Sequence, residues 1–108
     1  VLSTTTGGLS GPALRPVALA AVHAAYPVVE LPIVGMGGIE SGRHALEFLA
    51  AGASACALGT VLFRDPEAPA RVRAELESEA AELRFRTPLA ARGAAHRRDG
   101  EEPLLAVA

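Results

Sequence analysis

The chain has 108 residues, half of them hydrophobic and 20% charged, with a formal net charge of -2. Such a composition excludes disorder over the first two thirds, while the length falls far short of the roughly 250 residues of a closed β/α barrel. All ten cationic residues are arginines spread along the chain, so there is no basic field for nucleic acid; the single cysteine excludes an internal disulfide framework and a Cys/His zinc site.

Pro, Gly, Glu or Arg interrupts every apolar run before it reaches the length of a membrane span. The start at Val1 has neither Met nor the basic region of a signal peptide, and reads as the middle of a longer polypeptide in a reducing, cytoplasmic setting.

In chain order, Val1 to Gly8 is β-branched and polar, then glycine-rich, as at a strand end or a loop entering an active-site face. Gly7, Gly8 and Gly11, with Ser10 among them and Pro12 after, can form a backbone cradle for an anion or a flat ring; the cluster alone fits an ordinary turn better. Pro16 to Tyr26 predicts a helix, with Pro in the first turn and Ala and Leu following. Its expected buried stripe is Val17, Ala20, Ala21 and Ala24, with His23 at the surface and Pro27 helping to end the helix.

Leu31 to Val34 predicts a strand that runs into Gly35-Met36-Gly37-Gly38, with Met36 as core filling. Ser41 is placed to cap the next helix, Ala45, Leu46, Leu49 and Ala50 to face the sheet, Arg43 and Glu47 to pair on the outside, and Gly52 to end it. Ala53 to Leu58 predicts a second strand ending at Gly59-Thr60, where the Thr60 hydroxyl and N–H can reach an anion. Cys56, flanked by Ala55 and Ala57, reads as a buried structural thiol. Asp65-Pro66 predicts the start of a helix reaching Leu83 and burying Val72, Leu76, Ala80 and Leu83. Residues 1–90 are expected to form the folded part and 91–108 a flexible tail in which His96, Arg97 and Arg98 are solvated.

The order strand, glycine loop, helix, strand, glycine loop, helix makes this an α/β chain. Two consecutive β/α units that both end in glycine are the arrangement that binds phosphate at the C-terminal face of a TIM (β/α)8 barrel, of which this chain would be an incomplete C-terminal part.

Three motifs in this order, Gly7-Gly8-Leu9-Ser10-Gly11-Pro12-Ala13-Leu14-Arg15-Pro16, Pro32-Ile33-Val34-Gly35-Met36-Gly37-Gly38-Ile39, and Ala51-Gly52-Ala53-Ser54-Ala55 leading to Gly59-Thr60, resemble the C-terminal part of the dihydroorotate dehydrogenase family. The resemblance implies an FMN-binding barrel that oxidises dihydroorotate to orotate in pyrimidine biosynthesis. It implies Gly11 against the flavin, Gly37 and Gly38 on the phosphate after strand seven, and Gly59 and Thr60 after strand eight. It favours the soluble, NAD-linked class, with an iron–sulfur flavoprotein as electron-transfer partner and an oligomeric full-length form. The family's catalytic base and its flavin-contacting Lys belong to earlier segments, so no catalytic residue is assigned here, and Cys56 does not match the base. Alternatives are a flavin domain like that of dihydropyrimidine dehydrogenase, a non-redox phosphate-binding barrel, and a truncated product without catalysis.

Overall fold

The computed structural model describes residues 6–97. Gly11, at φ 87°, turns the chain into a short 3-10 turn over Pro12–Leu14, closed by the Leu14 N–H donating to the Gly11 carbonyl (3.0 Å). Helix α1, Arg15–Ala25, continues directly from it, and a second 3-10 turn, Tyr26–Val28, ends the helix around Pro27. Strand β1, Val34–Met36, leads through the glycines to α2, Gly42–Ala51. Strand β2, Ala55–Ala57, follows, then a four-residue helix α3, Val61–Arg64, and the long helix α4, Ala68–Glu82.

The two strands pair in parallel, Val34 with Ala55, Gly35 with Cys56 and Met36 with Ala57. Parallel strands need a crossover, and α2 supplies it. Both strands are shorter than the sequence predicts, and β1 begins three residues later, at Val34 rather than Leu31. Pro32 has no N–H to give a ladder, and the pairing opens only where the Ile33 carbonyl accepts from the Ser54 N–H (2.7 Å).

Alternation along β1 decides its two faces. Gly35 is buried against α2, where an added Cβ would lie 2.5 Å from the Phe48 ring, while Val34 and Met36 on the opposite face are 60% and 61% exposed. Met36 is therefore not core filling, contrary to expectation: the strand period turns it away from α2.

The core lies between α2 and its neighbours: Val22 of α1, Ile39, Ala45, Phe48 and Leu49 of α2, Ala53, and Val72 of α4. Phe48 is wholly buried and is the largest side chain to be so, a burial that stabilises by about 1.5–3 kcal/mol. Ser41 caps α2 as expected, its Oγ accepting from the His44 N–H (3.2 Å), and Gly52 at φ 129° ends it against the Tyr26 ring. The outer pair differs from expectation: Arg43 reaches across to Glu79 of α4 (3.6 Å) instead of to Glu47.

Helix α1 corrects the expected stripe. Val22 is buried, with Ala18 and Leu19 packed against the core, whereas Val17 is 63% exposed. Apolar residues surround this helix, so its period is legible but its phase is not. Asp65 also acts differently. Its Oδ1 accepts from the Glu67 N–H (3.1 Å) in a turn, and α4 begins only at Ala68. Leu83 lies beyond the end of α4 and is exposed, because Arg84 takes a left-handed conformation (φ 66°) that turns the chain away.

Residues 91–97 are not a tail. Thr87 caps a 3-10 turn over Pro88–Ala91, whose Ala90 and Ala91 are buried, and the Gly93 N–H donates to the Leu49 carbonyl (2.9 Å). His96 stacks on His23 with ring centroids 4.0 Å apart, and its Nε2–H donates to the Ala51 carbonyl (2.7 Å). Small residues let this segment lie flat on α2 without any helical period to announce it. Arg98 and the rest of the expected tail fall outside the described residues.

The sheet has two strands among the described residues, and Leu31, Val34 and Met36 are exposed beside its open edge. Unpaired apolar edges template association. The isolated 108-residue chain is therefore expected to sediment as associated species without a cooperative thermal transition; a monodisperse, cooperatively melting monomer would contradict this.

Candidate functional site

Because β1 and β2 are parallel, their C-terminal ends lie on one side of the sheet, and the loops that follow them open into one cavity of about 230 Å³. Its walls include Ser10 and Gly11 before α1, Gly37, Gly38 and Glu40 after β1, and Gly59, Thr60 and Val61 after β2. All five site residues picked from the sequence, Gly11, Gly37, Gly38, Gly59 and Thr60, are brought together here. A larger apolar cavity of about 600 Å³ lies between α1 and α2, lined by Pro16, Leu19, His23 and Ala50 among others. It holds none of the five and no strand end, and it opens on the outer side of the helices.

The glycines have different reasons to be glycine. At Gly38 (φ 70°) a Cβ would lie 2.6 Å from the Gly11 carbonyl oxygen, so the loop after β1 and the turn before α1 touch backbone to backbone. At Gly37 (φ 133°) it would lie 2.6 Å from the Ala18 Cβ. Gly59 and Gly11 are the reverse case: nothing described lies within 4 Å of a Cβ added to either. A side chain at Gly59 would occupy space that the cavity keeps free. Among the described residues the Gly38, Ile39, Thr60 and Val61 N–H groups make no hydrogen bond. A concave, glycine-lined surface with free backbone donors suits an anion.

Polar side chains hold these loops from behind. Arg15 Nη1 donates to the Gly38 carbonyl (3.4 Å) and to His44 Nδ1 (3.4 Å), and the Glu40 N–H donates to the same Nδ1 (3.1 Å). Nδ1 is thus an acceptor and the ring proton sits on Nε2. Burial, and then the neighbouring Arg15 charge, lower the His44 pKa. The Glu40 carboxylate, the one acidic group lining the cavity among the described residues, is held by Arg64 of α3 (3.0 Å). None of these links was foreseen in the sequence. The spacing of Glu40 and His44 at i, i+4 was the available signal, but it does not predict a backbone donor for the ring.

Cys56 does not line the cavity. Its Sγ–H donates to the Ala45 carbonyl of α2 (3.6 Å), and burial pushes the thiol up to about 11, so it stays protonated at neutral pH as a structural group. Among the described residues no group of three or more His, Cys, Asp or Glu gathers as a metal site, and no helix is long and apolar enough to cross a membrane.

With this geometry in view, comparison with known proteins is decisive. The family profile described as dihydroorotate dehydrogenase matches residues 1–80. The chain belongs to the dihydroorotate dehydrogenase family. It is 51% identical over 100 residues to the catalytic subunit of dihydroorotate dehydrogenase B (NAD(+)) of Desulforudis audaxviator, covering 93% of this chain and 33% of that protein. It is also 54% identical over 70 residues to a putative dihydroorotate dehydrogenase A (fumarate) of Solibacter usitatus, covering 65% of this chain and 23% of the relative. Among solved structures, the ligand-free DHODH of Eimeria tenella superposes with a TM-score of 0.82 at 33% identity, over 86% of this chain and 26% of that one. The chain thus spans about a third or less of its relatives. Its two strands are C-terminal β/α units of the family's TIM barrel.

His44 sets a pH dependence. Its folded pKa lies below the ordinary value of 6.5, so above that value both states are neutral and the imidazole contributes no slope. As pH falls below 6.5, the unfolded state takes up the proton first and stability drops, levelling once the folded state is protonated too. In the full-length protein, His44→Gln is expected to flatten this part of the profile of thermal midpoint against pH; an unchanged slope would contradict the assignment.

Proposed function

We propose that this chain is part of an FMN-dependent oxidoreductase that converts dihydroorotate to orotate in pyrimidine biosynthesis, and that its share of the site is the cradle for the FMN phosphate. The observation that carries this reading is the convergence of Gly37, Gly38, Gly59 and Thr60 on one cavity with free backbone N–H groups. Among the described residues no cationic side chain lines that cavity, so backbone donors supply the positive potential, as in phosphate sites after the last two strands of such barrels. The short helix α3, which begins directly after Thr60, adds the Val61 N–H to the same side, the Leu62 and Phe63 N–H groups being taken by the Gly59 and Thr60 carbonyls.

FMN, when bound, supplies the redox chemistry by accepting two electrons from dihydroorotate. The residues of this chain bind and orient. Gly38 and Ile39 offer N–H groups from one loop, Thr60 its N–H and hydroxyl from the other, and Gly11, with open space at its Cα, lets the flavin approach closely. In this reading Cys56 is not the acid or base of the reaction, since its thiol is protonated and lies outside the cavity.

The NAD-linked class, with an iron–sulfur flavoprotein as partner, an oligomeric full-length form and a cytoplasmic location, is favoured by the similarity to the NAD(+) catalytic subunit over nearly the whole chain. The comparable identity to the putative fumarate-linked relative supports a second reading in which fumarate accepts the electrons. Turnover of the purified full-length protein with fumarate as acceptor and no partner subunit distinguishes the two.

Gly59→Val is the direct test of the cradle, because its side chain would enter free space and leave the fold intact. Gly37→Val is less clean, since it would also press on Ala18. A lost hydrogen bond to a charged group costs about 1.5–3 kcal/mol, so FMN affinity should fall roughly 10- to 100-fold. The melting temperature of the apoprotein should not change. Wild-type flavin retention after gel filtration of Gly59→Val would show that the phosphate lies elsewhere.

A further inference from the structure

Resting on the reading that the two glycine loops hold a phosphate, we propose that Arg71 and Glu75 of α4 are positioning residues for that site, fixing both loops from outside the cavity. Arg71 uses each of its nitrogens on a different target. Nε donates to Asp65 Oδ2 (2.9 Å), Nη1 to both oxygens of Glu75 (3.2 and 3.1 Å), and Nη2 to the Glu40 carbonyl (2.9 Å). Glu75 Oε1 in turn accepts from the Gly42 N–H (2.9 Å). The pair therefore grips a carbonyl and an N–H two residues apart, on either side of Ser41, where the loop after β1 becomes α2.

Through Asp65 the same guanidinium reaches the end of α3, and hence the segment that starts at Gly59-Thr60. Arg64 of α3 closes the circuit on the Glu40 carboxylate (3.0 Å). Gly42 makes the grip possible, because a Cβ there would run into the backbone of Glu75 and Leu76. Neither Arg71 nor Glu75 lines the cavity.

A partly exposed ion pair on its own contributes little, so stability alone does not account for one guanidinium joining three segments. A planar, multidentate donor suits the fixing of relative positions, and an ammonium cannot span the same targets. Held this way, the free N–H groups of the two loops keep the spacing that one phosphate can bridge.

The test compares FMN with riboflavin, which carries the same ring without the phosphate, by titrating each into the full-length apoprotein and following flavin fluorescence. Wild type is expected to bind FMN much the more tightly. Arg71→Met should weaken FMN roughly tenfold, the lower end of what losing an outer partner costs at metal centres, and leave riboflavin unchanged. Arg71→Lys should show the same selective loss and serves if Arg71→Met does not fold. Glu75→Gln, which keeps a carbonyl for the Gly42 N–H, should lose less than Glu75→Ala. An FMN-to-riboflavin preference equal to wild type in the Arg71 variants, whatever their melting temperature, overturns this proposal alone. A wild-type protein that binds both flavins equally overturns the phosphate reading and this proposal with it.

Discussion

The parallel pairing of two very short strands is the constraint on which the rest depends. With Val34 opposite Ala55 and Met36 opposite Ala57, both chains leave the sheet at the same edge, and the two glycine-bearing loops have no choice but to meet. An antiparallel pair would have sent them to opposite ends. The register also selects faces: Gly35, turned toward α2, accommodates Phe48, and through it the sheet is fixed to the helical layer.

Around that constraint the chain divides its labour between bare backbone and charged side chains. The cavity wall is backbone and small or apolar side chains, with Glu40 the exception, whereas the charged groups stand behind it. Arg15 and His44 hold the loop after β1, and Arg71 and Glu75 hold the first turn of α2. The Glu75 pKa is lowered, first by the Gly42 N–H and then by Arg71, so it remains ionised in this frame at neutral pH. A site built from fixed dipoles binds an anion without having to bury a mobile cation beside it.

Much of this was legible in the sequence because glycine, serine and proline have narrow uses. The two Gly-ended apolar runs marked the strand ends, Ser41 and Gly52 bracketed α2, and the five residues singled out from spacing and resemblance share one cavity. What was not legible depended on contacts distant in sequence. The buried face of α1 is misphased because that helix is apolar nearly all round, and Met36 reads as core filling because the expected strand stops at Val34, whereas β1 runs on to Met36 and its alternation turns that side chain outward. Helix α3 is too short to show a period, and the Ala- and Gly-rich stretch around Gly93 packs through small size and one left-handed turn, for which hydrophobic patterning carries no signal. The Arg71 network was invisible for the same reason: its partners Glu40 and Gly42 lie some thirty positions away.

The central claim is that the loops after β1 and β2 jointly hold the FMN phosphate. A crystal structure of the full-length protein with FMN tests it most directly. The account predicts phosphate density in the cavity between Gly37-Gly38 and Gly59-Thr60, with the Gly38 and Thr60 N–H groups within hydrogen-bond distance of its oxygens. Density for the phosphate anywhere else, the apolar groove between α1 and α2 included, would contradict it.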